Sequence, residues 1–255
     1  MSRQEILGIP YDTLNKFETI KFISDSIKGC GSQIYRSDIN AASFLMLKEC
    51  GVIKDYICGA DVINIDGMGV IFGCKFLGNK NIERIAGADL FEDILSIAEK
   101  NCFSVYFLGS TQEVVTMTAK KALIHFPNLS IAGFGDGYFQ EKQAEVVEVI
   151  NDSNPDILFV GVKSPEKEKF ILEWRGSLDV KFIMGVGGTF DVFSGNIKRA
   201  PSWVQKIGME WFFRFIQEPK RMWRRYFFSN IYFLRLITQE KFRLLKCKYF
   251  DGAPD

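Results

Sequence analysis

The chain has 255 residues, 47% hydrophobic and 25% charged, which suits one large α/β domain with a real core and argues against disorder. A net charge of +1 hides an asymmetry: residues 196–255 carry 13 Lys or Arg against 5 Asp or Glu, and residues 1–195 carry 19 against 26. An acidic body with a basic tail suggests that the tail meets an anionic surface.

In chain order, a helix is predicted over residues 17–28, with Phe17, Ile20, Ile23 and Ile27 on one face. A short strand at Gln33–Tyr35 leads through Arg36-Ser37-Asp38-Ile39-Asn40 to a helix from Ala41 to Cys50. Asp38 or Asn40 would cap that helix, or both would point into a cleft. The run Ile63-Asn64-Ile65-Asp66-Gly67-Met68-Gly69 is a β-like segment ending in a carboxylate and two glycines. Asp66 is there either a catalytic base or part of an Asp-Gly turn. A loop is expected next, reaching Glu83-Arg84-Ile85-Ala86-Gly87-Ala88-Asp89-Leu90, with a helix from about Asp89 to Lys100. Arg84 would bind phosphate or pair with Glu83 or Asp89.

The rhythm then becomes regular. Ser104–Leu108 reads as a buried strand, and Ser110 and Glu113 have capping-box spacing before a helix to His125. Leu129–Ala132, Asp156–Val162 and Val180–Val186 are further strands, and a helix ends near Asn151. Their carboxyl ends carry Gly109-Ser110, the loop Gly133-Phe134-Gly135-Asp136-Gly137-Tyr138, Ser164-Pro165 and Gly187-Gly188-Thr189. Strand–helix alternation predicts a Rossmann-like parallel or mixed sheet with helices on both faces, binding its ligand at those ends. No G-x-G-x-x-G opens a strand–helix unit and no P-loop occurs, so a nucleotide held by several loops fits better than a dinucleotide or NTPase site. Asp191 would accept a ribose hydroxyl or cap a helix. Lys167, near the start of the helix opened by Ser164-Pro165, opposes the helix dipole by roughly 0.3–1 kcal/mol. It is either solvated or turned to a bound anion such as a diphosphate.

The single histidine, His125, sits at a helix end and leaves little case for a Ser-His-Asp triad or a His-ligated metal. Acid–base chemistry then falls to a carboxylate. The six cysteines form no Cys-x-x-Cys and read as reduced, mostly buried thiols of a cytoplasmic protein. No secretory leader and no membrane-spanning run are expected. From Ala200-Pro201 onward, tryptophans alternate with arginines and Pro219 splits the tail into two helices. Such a basic, aromatic, amphipathic pair suits an anionic membrane face; nucleic-acid binding and a plain packed hairpin are the competing uses.

Together the segments resemble the WecG/TagA/CpsF family of bacterial glycosyltransferases (glycosyltransferase family 26), from Leu7-Gly8-Ile9-Pro10 to about Tyr226. The matching pieces are Asn40, Asp66-Gly67-Met68-Gly69, the Glu83–Leu90 run, Gly137-Tyr138-Phe139, Gly185-Val186-Gly187-Gly188-Thr189-Phe190-Asp191, Arg199-Ala200-Pro201, Glu210-Trp211 with Arg214, and Glu218-Pro219-Lys220-Arg221 with Arg224-Arg225-Tyr226. The resemblance implies an inverting, metal-independent transferase without cofactor. It would move N-acetylmannosamine, its uronic acid or a related sugar from UDP to a polyprenyl-diphosphate-linked saccharide. It further implies an α/β core over residues 1–199, with an acceptor-side half to about 100 and a UDP-sugar half beyond. Residues 200–255 would be a helical appendage docking on the inner face of the cytoplasmic membrane; homo-oligomerisation stays open and no nucleic-acid partner is expected.

On this resemblance Asp66 looks like the general base. Asp38, Asn40, Arg84, Arg214, Arg221 and Arg224 look like acceptor and phosphate contacts. Gly109, Ser110, Gly137, Tyr138, Lys167, Glu168, Gly187, Gly188, Thr189 and Asp191 look like the UDP-sugar site. Two departures stand out: Asp38 replaces the family's usual Thr, and Pro165-Glu166-Lys167-Glu168 replaces its usual Pro-Lys-Gln-Glu. Lys167 would accordingly pair with an acidic donor sugar or with Asp38. The rival of another class is a non-catalytic, membrane-associated scaffold that binds glycan-lipid.

Overall fold

The computed structural model describes residues 2–29, 31–80, 82–206 and 208–250, with side chains for all of these except 202, 206, 221, 222, 224, 225 and 247–250. A hairpin opens the chain, β1 (Arg3–Ile6) and β2 (Ile9–Asp12), turning through Leu7 and Gly8, both at positive φ. Helix α1 (Lys16–Lys28) starts on a capping box between Asn15 and Glu18. Then follow β3 (Ile34–Ile39), α2 (Ala41–Glu49), α3 (Gly51–Cys58), β4 (Val62–Ile65), α4 (Met68–Leu77) and α5 (Gly87–Asn101). The second half comprises β5 (Ser104–Gly109), α6 (Gln112–His125), β6 (Ser130–Gly135), α7 (Gln143–Ser153), β7 (Ile157–Gly161), α8 (Glu166–Trp174), β8 (Phe182–Gly185) and α9 (Thr189–Ser194). The tail forms α10 (Ser202–Lys206), α11 (Glu210–Gln217) and α12 (Pro219–Phe250).

Strands β3 to β8 form one parallel six-stranded sheet in the order β4-β3-β8-β7-β5-β6. Side chains alternate between two apolar layers. Val105 and Phe107 of β5 face α5, α6 and α9 through Leu90, Phe91, Val115 and Phe190. Tyr106 and Leu108 face α7 and α8 through Val147, Ile150, Phe170 and Ile171. The chain therefore leaves β5 and β7 on opposite faces of the sheet, and their loops diverge at the carboxyl edge. That divergence is where open α/β sheets take ligands.

The Rossmann-like expectation holds, with a sheet that is wholly parallel. Several local expectations do not. The strand predicted to end at Tyr35 runs on to Ile39, so Asp38 lies inside β3 and only Asn40 caps α2. The loop expected after Asp66 is mostly α4. The residue capping α6 is Thr111, because Ser110 is drawn into the left-handed region at φ 60. Pro165 stands at the cap of α8, just outside the helix that Ser164-Pro165 is expected to open. The thiols are less buried than expected: Cys74 is buried, Cys50 half-buried, Cys58 and Cys102 exposed, and Cys30 and Cys247 lie outside the described side chains.

Helix α12 shares the core of the first half. Phe233 and Ile237 are buried, and the Phe233 ring centroid lies 5.0 Å from that of Phe44 in α2. Gly73 of α4 is what admits them, since a Cβ there would stand 2.8 Å from the Phe233 ring. Phe233→Ala should lower the unfolding free energy by about 3–5 kcal/mol, the range for emptying a buried aromatic site. Urea unfolding followed by fluorescence and by far-UV circular dichroism checks this, and both probes should shift together.

Candidate active site

Asp66 follows the last residue of β4, where the strand gives way to α4 through Gly67. Even-numbered residues of β3 and β4 point to the α1/α5 face, and the register sets Asp38 opposite Asn64. That face is apolar toward the amino ends of the strands, with Ile34 and Val62 buried. Toward the carboxyl ends it becomes polar, with Arg36, Asp38, Asn64 and Asp66 in succession. The Asp66 carboxylate accepts from Arg84 Nη2 and from the Gly87 backbone N–H, each at 3.3 Å. Arg84 Nε donates to the Asp66 carbonyl at 2.6 Å, and Arg84 Nη2 also donates to Glu210 at 2.9 Å. Arg84, expected to bind phosphate or to pair with Glu83 or Asp89, pairs with other acids, Asp66 and Glu210. Asp89 pairs instead with Arg199, which also binds Glu92 at 3.1 Å.

The Asp66 side chain keeps 29% exposure, so a substrate hydroxyl can reach it. Burial pushes its carboxyl above the ordinary value of 3.8, and the nearby negative charge of Asp38 adds to this. Arg84, Arg36 and the Gly87 N–H pull the other way. Burial alone would lower the Arg84 guanidinium, but Asp66 and Glu210 more than offset that and hold it charged.

A second cluster lies at the end of β8. Gly187 has φ +50 with open space around it, and the nearest atom to a Cβ built on Gly188 is Arg214 Nη2 at 3.8 Å. Because Arg214 stands one turn beyond Glu210 on α11, one helix links the Asp66 cluster to the glycine turn. Thr189 is buried and donates its hydroxyl to the Val186 carbonyl at 2.7 Å, while Asp191 accepts from Asn196 at 3.1 Å. The Thr189 hydroxyl is used within the turn, and Asp191 lies inside α9, whose cap position is Gly188, so it does not cap that helix. Lys167 is neither solvated nor directed to Asp38: it is 8% exposed, its stem packs on Gly185, and its ammonium lies 3.2 Å from Glu168. Glu168 also accepts from Ser164 at 2.7 Å, and its second oxygen is buried without a partner.

The remaining expected residues sort by what they touch. Asn40 uses its side-chain oxygen to cap α2, while Gly67 packs against its Cα. Gly109 and Gly137 are held by backbone contact: a Cβ on Gly109 would meet Gly161 at 2.5 Å, and one on Gly137 would meet the Ser110 nitrogen at 3.0 Å. Ser110 receives the Gly137 N–H at 2.8 Å, and the Tyr138 ring projects outward, 75% exposed. Arg221 and Arg224 lie outside the described side chains. Among the described residues no group of three or more His, Cys, Asp or Glu side chains is arranged to hold a metal ion. Sequence reasoning assigned no role to Arg36, Glu210 or Arg199. For Arg36 the available signal was parity: it shares the alternation of Asp38 within one strand.

The model of the glycosyl transferase WecG/TagA/CpsF family matches residues 4–246. The chain belongs to this family of glycosyltransferases. It is 34% identical over 242 residues, 94% of this chain and 93% of the relative, to an N-acetylglucosaminyldiphosphoundecaprenol N-acetyl-beta-D-mannosaminyltransferase of Bacillus subtilis strain 168. A protein of the same description from Bacillus spizizenii is 38% identical over 185 residues, 72% of this chain and 71% of the relative. The matched stretches take in Asp66, Arg84, the glycine turn and α11 of a glycosyltransferase chain.

An acid whose folded pKa exceeds its unfolded value binds its proton more tightly when folded. Asp66 therefore destabilises the fold progressively as pH rises from about 3.8. Asp66→Asn should lack this decline, so its melting temperature should gain on the wild type between pH 4 and 7. The gap should close again at pH 3 in a calorimetric series.

Proposed function

We propose that the protein transfers N-acetylmannosamine from a UDP-sugar to a polyprenyl-diphosphate-linked N-acetylglucosamine, with inversion, without a metal and with Asp66 as general base. The observation that carries this reading is the placement of a partly exposed carboxylate with raised proton affinity on the same carboxyl edge as the Gly187-Gly188 turn. Arg214 reaches over that turn from a helix anchored beside Asp66. The names of the relatives supply the sugar and the lipid-linked acceptor.

Asp66 takes the proton from the acceptor hydroxyl while its oxygen attacks the anomeric carbon. The bond from that carbon to the UDP oxygen breaks, and the sugar configuration inverts. Negative charge accumulates on the departing diphosphate. Arg214 and the backbone N–H groups of the glycine turn meet it, as fixed positive charge does at such transition states. Arg84 holds Asp66 by two contacts, one to the carboxylate and one to the backbone carbonyl. Lys167 is satisfied by Glu168, so an acidic donor sugar is not required to balance it.

The tail brings the lipid-borne acceptor to this edge. Trp211, Phe212 and Ile216 of α11 and Trp223, Phe227 and Phe228 of α12 are exposed. Basic residues are interleaved with them, which suits the interface of an anionic bilayer. No helix among the described residues is long and apolar enough to cross a membrane. The protein then works as a peripheral enzyme at the inner face of the cell membrane.

The test is a panel of UDP-sugars offered with a short-chain polyprenyl-diphosphate N-acetylglucosamine, with products read by mass and anomeric coupling. UDP-N-acetylmannosamine should give the inverted product. Asp66→Asn should cut turnover by about 10²–10⁴-fold, the usual contribution of a general base, while UDP binding is retained. An Asp66→Asn protein of undiminished turnover would exclude the carboxylate as base. Product formation abolished by EDTA and restored by a divalent ion would exclude the metal-free mechanism.

A further inference from the structure

Arg36 is the largest fully buried side chain among the described residues, and its guanidinium is wholly withdrawn from solvent. Nε donates to Asn64 at 3.0 Å, Nη1 donates to Asp38 at 3.3 Å, and Nη2 has no partner. A guanidinium placed here must repay a large desolvation cost through nearby negative charge. Asp38 supplies part of it. Asp66 is the other carboxylate at hand: the space over the Gly87 Cα is bordered by Arg36 Nη1 at 3.5 Å and by Asp66 Oδ2 at 3.7 Å. Only a glycine leaves that gap free of a methyl group. Asp38 and Asp66 keep 21% and 29% side-chain exposure, while the arginine side chain has none.

We propose that Arg36 and Asp38 are positioning residues that set the proton affinity of Asp66, opposing each other from one strand. Asp38 places a second negative charge beside the base and favours its protonated form. Arg36 favours the ionised form of Asp66. Every charged group facing Asp66 enters the balance. Arg36 and Asp38 come from β3, Arg84 from the segment before α5, the Gly87 N–H from the start of α5, and Glu210 from α11. Arg199, Asp89 and Glu92 lie one contact further out. The proposal rests on Asp66 as general base only for its catalytic consequence. The strand that carries Asp38 thus sets a second carboxylate beside the base, with a buried cation to balance it.

The experiment titrates Asp66 directly by carbon-13 NMR of the labelled full-length protein, alongside the pH dependence of kcat/KM. Asp38→Asn keeps the shape and the hydrogen bond from Arg36 but removes the charge. It should lower the Asp66 midpoint by roughly half a unit to one unit, the scale of a neighbouring charge partly screened by solvent. Asp38→Thr should act in the same direction. Arg36→Gln should raise the midpoint by a similar amount, and Arg36→Lys should return it toward the wild type. A merely structural role for the pair would not give opposite shifts with rescue by charge. Should Arg36→Gln fail to fold, the two Asp38 variants decide alone. An Asp66 midpoint unchanged in Asp38→Asn and Asp38→Thr would overturn the proposal. A midpoint that moves while the acidic limb of kcat/KM stays in place would uphold the electrostatic pairing and remove Asp66 from the role of base.

Discussion

Arg84 donates to the carbonyl of Asp66, to its carboxylate and to Glu210, and three parts of the chain meet at that one guanidinium. The carboxyl end of β4, the segment entering α5 and the first turn of α11 are fixed together there. An isolated surface ion pair contributes about 1 kcal/mol or less. This one is recessed, carries three contacts and continues into Arg199 with Asp89 and Glu92, so the positions it sets are shared among several bonds. Glu210 in the first turn of α11 also complements the helix dipole. The consequence reaches Arg214. With the start of α11 held beside Asp66, the next turn of the helix carries an arginine to Gly188. The contact that seats α11 runs against the charge asymmetry visible along the chain, since an arginine of the body holds a glutamate of the tail.

The glycines at the carboxyl edge serve two distinct purposes. Gly109 has φ +135 and lies against the Gly161 backbone, and Gly161 in turn lies under the Phe190 ring. These residues let β5, β7 and α9 approach more closely than any side chain would permit. Gly187 and Gly188 differ: no side chain or backbone crowds the first, and only Arg214 stands near the second. A sequence full of glycines at strand ends looks like one extended ligand loop. The packing divides it into a tight seam and an open turn, and the open turn is the part beside a cation.

The strands of the second half were legible because a parallel sheet covered on both faces turns each strand into an apolar run, as at 104–108 and 156–162. Asp66 was legible as a carboxylate ending such a run. Helix α4 was not, since Gly69 and Gly73 lower its helix propensity and its residues are apolar nearly all round. It forms because Val70, Ile71 and Cys74 are buried and because Gly73 gives Phe233 and Ile237 of α12 room to seat, a partner more than 150 residues away. Arg36 was illegible for a related reason. Arginine is rarely fully buried, and nothing local announces that Asn64 and Asp38 will surround it. Parity within β3 groups it with Asp38, but the register with β4 is what brings Asn64 and Asp66 to the same place.

Lys167 shows how a local rule can be right about cost and silent about its resolution. A cation in the first turn of a helix opposes the dipole, and α8 meets this with Glu166 and Glu168 in the same turn. The ammonium is then drawn inward, its stem lying on Gly185, a residue that could not carry a side chain without displacing it. Glu168 receives both the lysine and the Ser164 hydroxyl on one oxygen and leaves the other buried and unpaired. Such a pair is close to neutral as a unit, so the cost that the local rule assigns to Lys167 is met within α8 itself and in the packing beneath it.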